Sequence, residues 1–144
     1  MTASEARAAV VAEAKTWLLT PYHHQARVKG AGVDCAMILI EVYSAVGLIK
    51  NFDPGFYVTD WMLHRSEERY LGWVQQYAHA VDEPKPGDIA LYQFGRCVSH
   101  GAIVIDWPTI IHAYAPEGNV CLGDGTAGPL GARLRGFYSL IGDS

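Results

Sequence analysis

Two early stretches place apolar residues at helical spacing. Ala6, Val10, Ala14 and Trp17 form one stripe, and Thr2 followed three residues later by Glu5 is a capping-box pattern, so a first helix is predicted from Thr2 to about Leu18. Thr20-Pro21 is the expected stop, because proline biases its predecessor away from helix. From Cys35, Ile38, Leu39, Val42, Tyr43 and Val46 recur with the same period. They predict a buried central helix that opens at the cysteine and ends at Gly47, a plausible C-cap. Tyr22-His23-His24-Gln25 and a polar, glycine-containing loop connect the two. Asn51-Phe52-Asp53-Pro54-Gly55 is turn chemistry. Beyond it, Thr59 to His79 carries Trp61, Leu63, Tyr70, Leu71, Val74 and Tyr77 among charges, which predicts one long or two short amphipathic helices on the surface.

The texture changes from Pro84 onward, where short β-rich runs are separated by glycine and proline. Pro86-Gly87-Asp88 reads as a turn feeding a strand from Ile89 to Phe94. His100 to Ile105 and Thr109 to Tyr114 follow as strands joined through Trp107-Pro108. Val120 to Leu122 is a short candidate, and Phe137 to Ile141 is expected to close the sheet. Helices first and an antiparallel meander afterwards make an α+β architecture, with the helices packed on one side of the sheet.

At 144 residues the chain is expected to form one domain spanning 1–144, without internal repeats, with a helical insertion at about 51–81. Hydrophobic residues make up 50% and charged residues 18%, a globular balance. A net charge of −4 without runs of Lys or Arg argues against nucleic acid or anionic lipid as a partner. The charged N-terminus lacks a signal-peptide core and no stretch approaches a membrane span, so the expectation is synthesis in the cytoplasm with no membrane association.

Three cysteines, Cys35, Cys97 and Cys121, are widely spaced, with no Cys-x-x-Cys pair. Cys97 and Cys121 are expected to be small buried hydrophobes in strands rather than a disulfide. Cys35 stands differently, at the start of a helix where unpaired N–H groups and the helix dipole favour thiolate. A thiol nucleophile needs an imidazole to exchange its proton and a third polar group to orient that ring. Of six histidines, His100 opens one strand and His112 lies in the next. Pairing of Ile103-Val104-Ile105 with Thr109-Ile110-Ile111 would bring the two rings together. An inert buried cysteine and two structural histidines are the plainer alternative. Cys plus two His is also a known zinc set, which the long separations disfavour, so neither metal nor cofactor is expected.

The order of these segments resembles the NlpC-type cysteine peptidases, the papain-like family of bacterial and phage cell-wall hydrolases. The resemblance rests on Thr20-Pro21-Tyr22, Gly32-Val33-Asp34-Cys35, Pro86-Gly87-Asp88-Ile89-Ala90-Leu91-Tyr92, Ser99-His100-Gly101-Ala102-Ile103-Val104-Ile105 and Ile111-His112-Ala113. It implies a papain-like fold with Cys35 as nucleophile, His100 as general base and acid, and His112 orienting His100. Tyr22 would stand at the oxyanion site with the Cys35 N–H, and Asp34 would help hold a free amine of the substrate. The implied substrate is a peptidoglycan stem peptide, cut between the γ-carboxyl of D-glutamate and a diamino acid. Ala36-Met37 replace the Ser-Gly common after the family's cysteine. A small version with an inserted helical segment looks most like members carried on phage or phage-like tails, which implies tail-tip or hub proteins as partners and a virion-associated location. A structural tail component that retains the fold, or a papain-like acyltransferase or amidase, is the alternative.

Overall fold

The structure, a computed structural model, describes residues 1–55 and 69–142. Helix α1 (Ala3–Lys15) opens with the anticipated capping box: Glu5 N donates to the Thr2 hydroxyl at 3.1 Å, and Thr2 N donates to Glu5 Oε1 at 3.1 Å. It ends before Leu18, with Thr16 as its C-cap. The stop is therefore upstream of Thr20-Pro21. A long-range pairing decides it: Leu19 N donates to Val120 O and Val120 N to Thr20 O, which pulls the chain off the helix axis and leaves Leu19 at φ 71°. The polar loop that follows contains a two-stranded hairpin, β1 (Arg27–Val28) and β2 (Gly32–Val33), too short to register as strand periodicity.

Helix α2 (Cys35–Val46) starts and stops where the pattern places it. Asp34 is its N-cap, and Gly47 terminates it at φ 89°, a conformation open to glycine without a Cβ clash. Seven of its residues are buried, Ala36 to Ile40, Val42 and Tyr43, which makes it the central element of the core. Helix α3 (Arg69–Tyr77) supplies the described part of the expected amphipathic segment and buries Tyr70 and Val74. The rest of that segment, with Trp61, Leu63 and His64, lies outside the described residues. His79, expected at the end of the helical stretch, instead begins strand β3 (His79–Val81).

The remaining strands are β4 (Ile89–Phe94), β5 (Cys97–Asp106), β6 (Thr109–Tyr114), β7 (Asn119–Asp124) and β8 (Leu134–Ser139). A 3-10 turn (Ala115–Glu117) precedes β7, and the short helix α4 (Gly128–Gly131) precedes β8. The sheet is antiparallel in the order β3-β8-β4-β5-β6-β7. The meander from β4 to β7 is as expected. The last strand does not close an edge, because β8 fills the gap between β4 and β3 and ends at Ser139.

Both faces of the sheet are covered. One packs against the helices through Ile89, Leu91, Ile103, Ile111 and Ala113, facing Val10, Ala14, Ile38 and Val42. The other carries a second cluster of Ala90, Tyr92, Ala102, Val104, Ile110 and Leu130. This is why Cys97 to Val104 is buried at every position instead of alternately. The turn before β4 is tied to both long helices. Arg7 of α1 pairs with the buried Asp88 at 2.8 Å, and the Tyr43 hydroxyl of α2 donates to Gly87 O at 2.7 Å. Among the described residues no helix is long and apolar enough to cross a membrane.

Candidate active site

Cys35 is delivered to its place by the N-cap. The buried Asp34 carboxylate accepts from Ala36 N at 3.1 Å and Met37 N at 2.9 Å through Oδ1, and from Gln25 N at 2.7 Å through Oδ2. Three backbone donors thus hold a carboxylate that is only 2% exposed. Asp34 therefore fixes the loop and the first turn of α2. The same bonds alter the electrostatics anticipated for the thiol. Two N–H groups of the first turn, those of Ala36 and Met37, are taken by Asp34, and burial, reinforced by the Asp34 charge, pushes the Cys35 thiol well above its usual range. Cys35 rests as a thiol, where the helix start alone would favour thiolate.

Two tyrosine hydroxyls oppose that shift. Tyr22 is set beside Cys35 by the strand-like pairing of its own segment: Tyr22 N donates to Gly118 O at 2.8 Å, and Tyr22 bridges Val33 in parallel. Its hydroxyl lies close enough to the Cys35 thiol to draw it downward against the effect of burial. Burial and the neighbouring Cys35 and Asp34 push the Tyr22 hydroxyl far up, so it remains a proton donor. The second is Tyr70 of α3, whose hydroxyl donates to Cys35 O at 2.8 Å and also draws the thiol downward.

The cysteine sulfur reaches the sheet at Ser99, donating to its carbonyl at 3.4 Å. The ladder explains where that carbonyl lies. Tyr92 pairs with His100 and Gln93 with Val98, so Ser99 is the extra residue of a β-bulge directly before His100. His100 and His112 meet as the hairpin register anticipates, with Ile103 opposite Ile111 and Val104 opposite Ile110. His100 Nε2 and His112 Nδ1 are 2.8 Å apart. With the shared proton on His100 Nε2, Nδ1 of His100 keeps its lone pair and can accept a proton, and His112 holds the ring in that tautomer.

The two rings lie in an aromatic enclosure. Tyr92, Phe94 and Tyr114 have centroids 5.9, 5.7 and 5.6 Å from that of His100, and Tyr114 stacks on His112 at 4.6 Å with 14° between planes. Burial pushes His100 down to about 3, helped by the adjacent His112, and pushes His112 down to about 4. Both are therefore neutral near pH 7, as a base and its orienting partner need to be. Gly123 on β7 leaves the room His112 occupies, since a Cβ there would lie 3.2 Å from its Nε2.

The structure thus assembles Tyr22, Asp34 and Cys35 on one side and His100 with His112 on the other, joined where the sulfur meets the residue preceding His100. All three cysteines are free, and Cys97 is buried as expected. Cys121 is a correction: it sits on the outer strand β7 opposite His112 and is partly exposed. Tyr70, Ser99 and Tyr114 were not singled out by sequence reasoning. Tyr70 shows there only as one apolar position of an amphipathic stripe, and the Ser99 bulge has no sequence signature. Among the described residues, no group of three or more His, Cys, Asp or Glu side chains is placed to hold a metal ion.

No family model and no curated protein matches the chain by sequence. Solved structures do match its fold. An NlpC/P60 family protein from Bacillus cereus superposes with a TM-score of 0.70 at 19% identity, over 94% of this chain and 40% of that one. The peptidoglycan hydrolase RipB from Mycobacterium tuberculosis gives 0.67 at 18% identity, covering 98% of this chain and 67% of its own. The P60 domain of an antigen from M. avium subspecies paratuberculosis gives 0.64 at 16% identity, over 98% of both chains. The chain therefore has the papain-like α+β fold of NlpC/P60 domains. It spans about two fifths of the length of the first of these relatives.

Proposed function

We propose that this protein is a cysteine peptidase that hydrolyses peptidoglycan stem peptides, at the bond between the γ-carboxyl of D-glutamate and a diamino acid. The observation that carries the reading is the His100–His112 contact of 2.8 Å on the strand whose bulged Ser99 carbonyl holds the Cys35 sulfur. Two fold relatives, RipB and the NlpC/p60 domain of SagA, are peptidoglycan hydrolases, which supports the choice of substrate. A place on a phage-like tail beside tail-tip or hub proteins belongs to the same proposal, on the resemblance to tail-borne members with an inserted helical segment. Detection of the chain in purified particles from the producing strain supports that location, and particles lacking it overturn it.

At rest the thiol and the imidazole are both neutral, so deprotonation accompanies attack. His100 Nδ1 takes the thiol proton as the sulfur bonds to the carbonyl carbon, and the oxyanion is met by the Cys35 N–H and the Tyr22 hydroxyl. The C–N bond breaks with the proton passing from His100 to the leaving amine. Water, giving a proton to His100, then attacks the thioester, and the C–S bond breaks to restore the thiol and release the carboxylate. Cys35→Ala is expected to abolish release of new amino groups from purified murein while leaving the circular dichroism spectrum unchanged. Undiminished release by this variant refutes the reading.

A further inference from the structure

Helix α3 delivers one side chain to the nucleophile from outside every segment that carries the family resemblance. Tyr70 is 1% exposed and its hydroxyl donates to the carbonyl of Cys35 at 2.8 Å. The ring packs between α3 and the sheet. Trp73 lies one helical turn on, with centroids 6.4 Å apart, and a small apolar cavity lined by Ala36, Leu39, Tyr70 and Trp73 separates α3 from α2. On the sheet side Gly101, the residue after His100, makes the space, because a Cβ there would stand 2.7 Å from the Tyr70 oxygen and 3.2 Å from Cε1. Gly101 thus permits an approach that alanine would block.

We propose that Tyr70 is a positioning residue for the nucleophile, fixing the first turn of α2 through the Cys35 carbonyl and offering its hydroxyl proton to the sulfur as charge builds there during transfer of the thiol proton to His100. One O–H serves both acceptors in turn. In the resting thiol the proton is on the Cys35 carbonyl, and as the sulfur gains charge it becomes the stronger acceptor of the two. Tyr22 has the oxyanion to serve during attack. Tyr70 is the hydroxyl left for the sulfur. The docking of α3 on α2 is thereby coupled to thiol reactivity.

The inference rests on Cys35 as the nucleophile, and its test reads the thiol directly instead of murein cleavage. The rate of Cys35 alkylation by iodoacetamide, followed by peptide mass mapping to separate it from Cys97 and Cys121, is measured at pH 7, 8 and 9 for wild type and Tyr70→Phe. Loss of a hydrogen bond to the sulfur as it gains charge is expected to lower the rate about tenfold at each pH. Where cleavage is measurable, kcat is expected to fall with KM unchanged. Gly101→Ala, which keeps the tyrosine but displaces its hydroxyl, is expected to lower the rate as well. An unchanged rate in a folded Tyr70→Phe protein overturns the proposal. If that variant does not fold, an unchanged rate in Gly101→Ala overturns it. A murein assay insensitive to Cys35→Ala refutes the peptidase reading by itself, without altering what the alkylation profile says of Tyr70.

Discussion

The buried histidine pair makes the fold sensitive to acid in a way that can be calculated. His100 and His112 are 6% and 3% exposed, and both are held below the ordinary imidazole range by burial, with mutual proximity adding to the shift of His100. In the unfolded chain each titrates near pH 6.5. Because the folded values are depressed, the unfolded state binds more protons between about pH 6.5 and the folded values. Stability is therefore complete above pH 6.5 and falls as the pH drops through that window toward the folded values of about 3 and about 4. At pH 5 each ring contributes a loss of about 2 kcal/mol relative to pH 8, together about 4 kcal/mol. That is a large share of the roughly 5–15 kcal/mol that holds a domain together. His112→Asn keeps a polar partner for His100 and deletes one titration. Urea unfolding of both proteins from pH 8 to pH 5 is expected to show the wild type losing about 2 kcal/mol more than the variant, the carboxylates being common to both. Identical acid dependence of the two proteins, or His100 and His112 resonances titrating near pH 6.5 in the folded protein, would refute the reasoning.

Two further perturbations follow from the same contacts. If Tyr22 meets the oxyanion as proposed, Tyr22→Phe is expected to lower kcat by about 10²–10³-fold with little change in thermal midpoint; a decrease of less than about threefold removes Tyr22 from that role. Arg7→Met keeps the packing of the stem but strips the charge partner from Asp88, which is 1% exposed and otherwise held by Lys85 N at 2.9 Å. A loss of roughly 3–5 kcal/mol in urea unfolding is expected, because a carboxylate is left buried without its counter-ion. A loss below about 1 kcal/mol would show that the pair is screened as at a surface.

Much of this architecture is visible along the chain because it depends on local chemistry. Thr2 with Glu5 and Gly47 at the end of α2 are caps, and a cap is specified by residue type and position alone. The hairpin that joins His100 to His112 is likewise specified by two short apolar runs and the turn between them, so the imidazole pair is legible before any coordinates. Beyond such local signals the sequence becomes silent. The stop of α1 is decided by hydrogen bonds between Leu19, Thr20 and Val120, about a hundred residues apart, and no property of Leu19 announces them. The same holds for β8, whose place between β3 and β4 depends on which edges the meander leaves unpaired.

The site divides along the same line. The residue types that can do the chemistry, a thiol at a helix start and two histidines in adjacent strands, are properties of the sequence. Their protonation is not. A helix N-terminus taken alone predicts a thiolate at Cys35, but tertiary packing partly buries the residue, gives the Ala36 and Met37 N–H groups to Asp34 and brings the tyrosines Tyr22 and Tyr70 in from separate segments. A charge's free energy depends on every dipole and every missing water around it. The sequence determines which groups are present, and only the three-dimensional arrangement determines which of them face the sulfur.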